Sequence, residues 1–128
     1  MASQNNTGAQ YSKTHAVTIV ATAAVAARRF AAYDGGHATS AGGAKDSQGI
    51  SETGAAVGEA FSAITAYSGV VEVLTGPVAI GDYLKPAADG SGKAIVGTAQ
   101  DHCARSLGVA ASGGVVEAQI VPHSHPAA

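Results

Sequence analysis

The sequence predicts an all-β protein, a small β-barrel or sandwich built from two pseudo-repeated β units and preceded by an extended N-terminal arm. Three observations lead there. Short β-branched runs recur between turns rich in Gly, Asp and Pro. An internal repeat relates the two halves of the chain. The one stretch with helical propensity, Ala23 to Ala32, has a repeat partner containing Gly76-Pro77 and Gly81, which are poor for helix. The expected organisation is an arm over 1–14, one β domain over 15–122 with units 15–66 and 67–122, and a loose tail over 123–128.

The 128 residues fit one domain. Hydrophobic residues make up 46%, mostly Ala and Val, with no Trp, two Phe and four Tyr. Burial is worth about 25 cal/mol per Å². Small side chains therefore give a thin core, and the chain is expected to gain from oligomerisation. Net charge is −2 and charged residues are 12% of the chain, about half the usual ~25%. That excludes a basic nucleic-acid surface. The longest apolar stretch, Ala16 to Ala27, is broken by Thr18 and Thr22 and is too short for a bilayer, which takes about 20 residues. The first residues carry no basic segment followed by an apolar run, so no secretory signal is expected and synthesis in a cytoplasm is.

Residues 1–14 are polar and unpatterned, and bury too little apolar surface to order by themselves. They read either as a frayed terminus or as an arm that orders on a partner. In the second case Gln4, Asn5, Asn6, Gln10, Tyr11 and Lys13 are the candidate contacts. Val17-Thr18-Ile19-Val20 is a strand because it is β-branched. Tyr33 to Gly36 is a turn, and 35–58 is dense in Gly, Ala, Ser and Thr with a short strand near Gly49 to Ser51. Phe61 to Thr65 and Val70 to Leu74 are strands joined at Tyr67-Ser68-Gly69. Gly76-Pro77 stops the second of these. Tyr83 to Lys85, Lys93 to Val96, Ser106 to Ala110 and Val115 to Val121 complete the set. Gly113-Gly114 is expected as the hairpin turn between the last two, and Pro122 as the end of the last strand.

The repeat aligns Val17 to Phe30 with Val70 to Tyr83 without gaps. Val17 meets Val70, Val20 meets Val73, Thr22 meets Thr75, Val25 meets Val78 and Phe30 meets Tyr83. Downstream, Gly49 to Ser51 echoes Gly108 to Ala110, and Val57 to Ala60 echoes Val115 to Ala118. The segment 35–58 has no partner of equal length in this alignment.

No constellation in the sequence has a catalytic pattern. Asp101-His102-Cys103 places an acid, an imidazole and a thiol in a row, but neighbours along a strand face opposite ways. With a single cysteine no intrachain disulfide forms. Asp89-Gly90-Ser91-Gly92-Lys93-Ala94 lacks the first Gly of a phosphate-binding loop and its closing Ser or Thr. Glu59, Glu72 and Glu117 are expected to point outward from strands. His123 and His125 are two apart and could share a metal ion, but nothing nearby in sequence supplies the other ligands, unless three copies meet on an axis. Arg28-Arg29 is the only basic pair, either solvated or set against an acidic patch on a partner.

The run Gly76 to Gly90, then Lys93 to Val96, then Arg105 to Ala110, then Gly113 to Val121 resembles the small phage head decoration, or capsid cement, proteins. A Val-x-x-Gly-Asp-x-Leu/Val strand, an Asp-Gly turn, a Gly-Val-Ala strand and a closing Gly-x-x-Val-x-Val strand recur in that family. Residues 70–121 carry the resemblance, and 15–65 carry it through the repeat. It implies a non-enzymatic homotrimer on the outer capsid surface of a virion. It further implies contact with the major capsid protein, often through terminal arms, and no cofactor. The competing readings are a tail, fibre or surface adhesin β module, disfavoured by the lack of aromatics, and a thiol hydrolase using Cys103.

Overall fold

Strand alternation sets the inside of the molecule. In Ser68–Thr75, Val71 and Val73 are fully buried while Glu72 between them is half-exposed; in Val115–Ser124, Val116 and Ala118 are buried while Glu117 and Gln119 are half-exposed. Period-two patterning of this kind builds a sheet with one core face. The structure is a computed structural model and describes residues 15–125. Strands β1 (Ala16–Val20), β2 (Phe30–Ala32), β3 (Ser47–Ser51) and β4 (Ala60–Ile64) form an antiparallel sheet in the order β1-β4-β3-β2. Strands β5 (Ser68–Thr75), β6 (Tyr83–Pro86), β7 (Ala94–Val96), β8 (His102–Ser106) and β9 (Val115–Ser124) close into a barrel in the order β5-β7-β6-β8-β9, with β9 pairing back onto β5. The all-β class and the small barrel are as the sequence predicts.

The two halves share their wiring. Leaving out β7, the barrel runs β5-β9-β8-β6, the counterpart of β1-β4-β3-β2. Val25 bridges Ala55 as Val78 bridges Ala110. The Arg28 amide donates to the Ser51 carbonyl at 2.8 Å, and the Gly81 amide donates to that of Ser106 at 2.8 Å. The return bonds run from the Ser51 amide to the Arg29 carbonyl and from Ser106 to Asp82. Val25 therefore corresponds to Val78, in the register the sequence gives. On both sides of this turn the register differs from expectation: the Ala21 amide bonds the Glu59 carbonyl as that of Val73 bonds Gly114, so Val20 corresponds to Glu72 and not to Val73. Ser51 corresponds to Ser106, not Ala110, and the Glu59 amide, bonded to the Ala56 carbonyl, corresponds to that of Gly114, bonded to Ala111. Shared Gly and Glu letters are a poor guide where the backbone ladder sets equivalence.

The same comparison places the Gly/Ala/Ser-rich segment. Between β2 and β3 the first half carries a single 3-10 turn, Gly43–Lys45, entered through Gly42 and Gly43 with positive φ. Between β6 and β8 the second half carries β7, which pairs parallel to β5 and closes the barrel. Ala94-Ile95-Val96 holds an extended conformation that Ala41-Gly42-Gly43-Ala44 does not. One half is thus a closed barrel and the other an open sheet.

The open sheet is seated on the barrel. Phe30, Ala32, Ala38 and Ile50 share one buried cluster with the barrel residues Val71, Val73, Val78, Leu84, Ala94, Cys103, Ala104, Val116 and Ala118. A second cluster of Ala21, Val25, Ala31, Phe61 and Ala63 lies within the first half.

Several boundaries depart from expectation, and β5 already begins at Ser68, within the turn expected there. The strand expected at Ser106 to Ala110 lies at His102–Ser106, because Cys103 and Ala104 are the buried pair. Gly113-Gly114 consequently belongs to a longer connection from β8 to β9, not a tight hairpin. The last strand does not stop at Pro122 but runs to Ser124, so His123 and Ser124 are not a loose tail. Pairing shifts between His102 and Ala104, which oppose Ser124 and Ile120. β9 therefore carries extra residues at this bulge, and a proline lacking its N–H is tolerated there.

Candidate functional site

Gln4, Asn5, Asn6, Gln10, Tyr11 and Lys13 lie outside the described residues. The basic pair lies within them, and its two members differ. Arg29 turns toward the barrel: Nη1 donates to the Ser91 carbonyl at 2.8 Å and Nη2 lies 3.4 Å from Glu72 Oε1. Lys93 Nζ sits 3.1 Å from the other oxygen of Glu72. Hydrogen bonding from Lys93, assisted by Arg29, holds the Glu72 carboxyl below its usual range. Arg28 is exposed and has φ 63°, a left-handed conformation that costs a non-glycine residue about 1–2 kcal/mol. Its counterpart in the second half is Gly81, with φ 86°. Arg28 lines a groove of about 150 Å³ with Ile50, Ser51, Glu52, Ile64, Gly69 and Val70. Arg28→Gly is therefore expected to raise stability by about 1 kcal/mol, read as a higher urea midpoint; a lower midpoint would show that the side chain supports the fold.

His37 joins the two halves. Its Nε2 accepts the Ala26 amide at 3.1 Å, and its Nδ1 lies 3.1 Å from the Gly90 carbonyl, so the ring is neutral with the proton on Nδ1. Desolvation lowers its pKa, and the charges of Arg29 and Lys45 act the same way. The folded protein then binds fewer protons than the unfolded chain, so this contribution to stability is complete above the unfolded histidine pKa of about 6.5 and is lost as pH falls through the lower folded value. Melting temperature is expected to fall from pH 7 to pH 5, and His37→Gln to flatten that slope. A slope unchanged by the substitution would assign the effect elsewhere.

A denser cluster forms where the end of β9 meets the entry to β3. Asp46 follows the 3-10 turn and caps it through its amide on the Gly43 carbonyl. The β9 bulge carries His123 inward until its side chain is 2% exposed. His123 Nδ1 accepts the Ser47 amide at 3.0 Å and lies 3.6 Å from Asp46 Oδ1. His125 Nε2 contacts the same oxygen at 2.5 Å, and the two imidazoles stack with centroids 4.4 Å apart. Asp101 enters from the turn before β8. Its Oδ2 meets Lys85 Nζ at 3.0 Å, while its Oδ1 lies 4.0 Å from His123 Nε2 and 3.9 Å from His125 Nδ1. Desolvation lowers the His123 pKa against the pull of Asp46. The sequence singled out His123 and His125 but not their acidic partners. Asp46 is 79 residues from His125, and no local signal could have paired them.

The other chemistry-bearing residues are placed as follows. Cys103 is buried in the barrel and its thiol pKa is pushed far up by desolvation, which leaves little nucleophilic thiolate. The His102 and Tyr83 rings meet tilted by 50° with centroids 4.6 Å apart. Asp89 Oδ1 accepts the Ser91 amide and hydroxyl, closing the Asp-Gly turn. Ser68 Oγ donates to Glu117 Oε2 at 2.6 Å. Glu59 accepts the Ala56 amide in the turn before β4, outside a strand. No helix among the described residues is long and apolar enough to cross a membrane.

No protein-family description matches the chain, and no curated protein does. Among solved structures, it is similar to the crystal structure of the N base of the head fiber protein gp8.5 of bacteriophage phi29. The TM-score is 0.66 at 18% identity, covering 86% of this chain and 96% of that chain. Almost the whole of that base thus shares this fold.

Proposed function

We propose that the chain is a non-enzymatic structural protein of a phage head, fixed to the outer surface of the shell. The observation that carries this is the fold-wide likeness to a head fiber base, spanning 96% of that chain. The decoration-protein resemblance over residues 70–121 points to the same location. In this reading the protein binds the major capsid protein, braces the shell and acts as a homotrimer. Exposed apolar side chains support such packing: Val57 is 67% exposed, Ile80 65% and Val109 71%. Contact surfaces hidden in an assembly leave residues of this kind uncovered in the lone chain. Three linked copies would turn weak contacts into firm attachment by avidity.

The similar structure is the base of a fibre, so this chain could seat an appendage instead of cementing the lattice. Co-sedimentation with undecorated heads of the encoding phage tests the shared claim. Saturable binding, weakened by Arg28→Gly and Arg28→Glu, is the expected result. A soluble monomer that stays in the supernatant would overturn it. Light scattering on the free protein tests the trimer.

A further inference from the structure

We propose that Asp46, His123 and His125 bind a borderline divalent cation, Zn²⁺ foremost, with Asp101 orienting His123 from behind. One ligand atom from each of the three residues lies within 4.8 Å of the other two, and His123 Nδ1 and His125 Nε2 are the nitrogens that face Asp46 Oδ1. Ligands at about 2.0–2.2 Å around a tetrahedral ion stand some 3.4 Å apart. The Asp46 to His123 separation of 3.6 Å already fits. The Asp46 to His125 contact of 2.5 Å opens as the ion replaces the hydrogen bond. His125 is exposed at the end of β9 and has room for that movement.

The tautomer is set for the task. Because Nδ1 of His123 accepts the Ser47 amide, it carries a lone pair, and the ring proton sits on Nε2. That Nε2 and Asp101 Oδ1 are both buried and have no hydrogen-bond partner among the described residues, although they face each other at 4.0 Å. Burying a donor and an acceptor without partners is costly. A metal on Nδ1 makes the Nε2 proton more acidic and draws it to Asp101. This is the carboxylate–histidine–metal arrangement that orients ligating imidazoles. Lys85 holds the far oxygen of Asp101, and so keeps the near one aimed at His123. Two imidazoles and one carboxylate suit Zn²⁺ or Co²⁺; Ca²⁺ and Mg²⁺ prefer oxygen alone. The ion displaces the Ser47 amide from Nδ1, which makes binding weaker than at a site whose ligands are all free. Once bound, it ties the last strand of the barrel to the β3 entry of the open sheet.

The test is titration of the chelator-stripped full-length protein with Zn²⁺ by calorimetry and with Co²⁺ by visible absorption. One ion per chain is expected, with a raised melting temperature and visible Co²⁺ bands of tetrahedral intensity. Asp46→Asn and His125→Ala should abolish the bands. Asp101→Asn should keep the bands but weaken affinity about 10–100-fold, as expected of an orienting residue. His15→Ala, outside the cluster, should bind normally. Circular dichroism of each variant separates loss of binding from loss of fold. No uptake, uptake unchanged in folded His125→Ala, or one ion per three chains would each overturn the site.

Discussion

Phe30→Ala is expected to destabilise the protein by about 3–5 kcal/mol, the range for removing a buried aromatic ring. Phe30 belongs to β2 of the open sheet yet is 1% exposed within the barrel's cluster. Its amide donates to the Gly92 carbonyl at 2.8 Å, so backbone and ring both cross from one half to the other. Its neighbours are mostly Val and Ala. Such short side chains cannot reach into the vacated space, and the cavity should persist. Urea unfolding should show a large drop in midpoint. The slope should also fall if the open sheet detaches before the barrel unfolds. A loss below about 1 kcal/mol would mean that the two halves are not packed through this ring.

Gly49→Ala is expected to be comparably severe for a different reason. Gly49 has no positive φ, so its backbone would accept any residue. The obstacle is space: a Cβ there would stand 2.2 Å from the Ile64 carbonyl oxygen and 3.1 Å from its carbon. Both atoms are backbone, next to the register in which Ile50 opposes Ile64 and Ser51 opposes Ala63. Relief requires moving β3 away from β4, which costs about 3 kcal/mol at the upper end of overpacking effects. Poor folding yield or a strongly lowered melting temperature is the expected result. Near-native stability would show that the β3–β4 approach is looser than described.

The fold class was legible because it depends on patterns that short windows carry. Val70 to Leu74 and Val115 to Val121 alternate or branch as strands do, and they are strands. The gapless match of Val17 to Phe30 with Val70 to Tyr83 located like backbone conformations from Val25 onward, because the turn at Arg28 and Gly81 has the same shape in both halves. Over β1 it is one residue out, since Ala21 takes the place of Val73 in the ladder, not of Leu74. What could not be read depends on distant partners. The bulge opposite His102 and Ala104 is created by β8, so nothing around Pro122 announced that β9 would continue past it. The burial of Cys103 was not legible, because the strand that carries it begins at His102, four residues before the one expected. Closure of one half and not the other followed from β7 reaching β5, a long-range pairing. The histidine pair was visible as a spacing of two. Its acids were not, since Asp46 and Asp101 arrive from separate connections.

The most direct measurement is a cryo-electron reconstruction of undecorated heads of the encoding phage after incubation with the purified protein. New density is expected on the outer surface at threefold or quasi-threefold positions. Three copies of the barrel and its seated sheet should fit it, with Arg28 facing the shell. Heads that gain no density at saturating protein concentration, or density only at the tail, would contradict it.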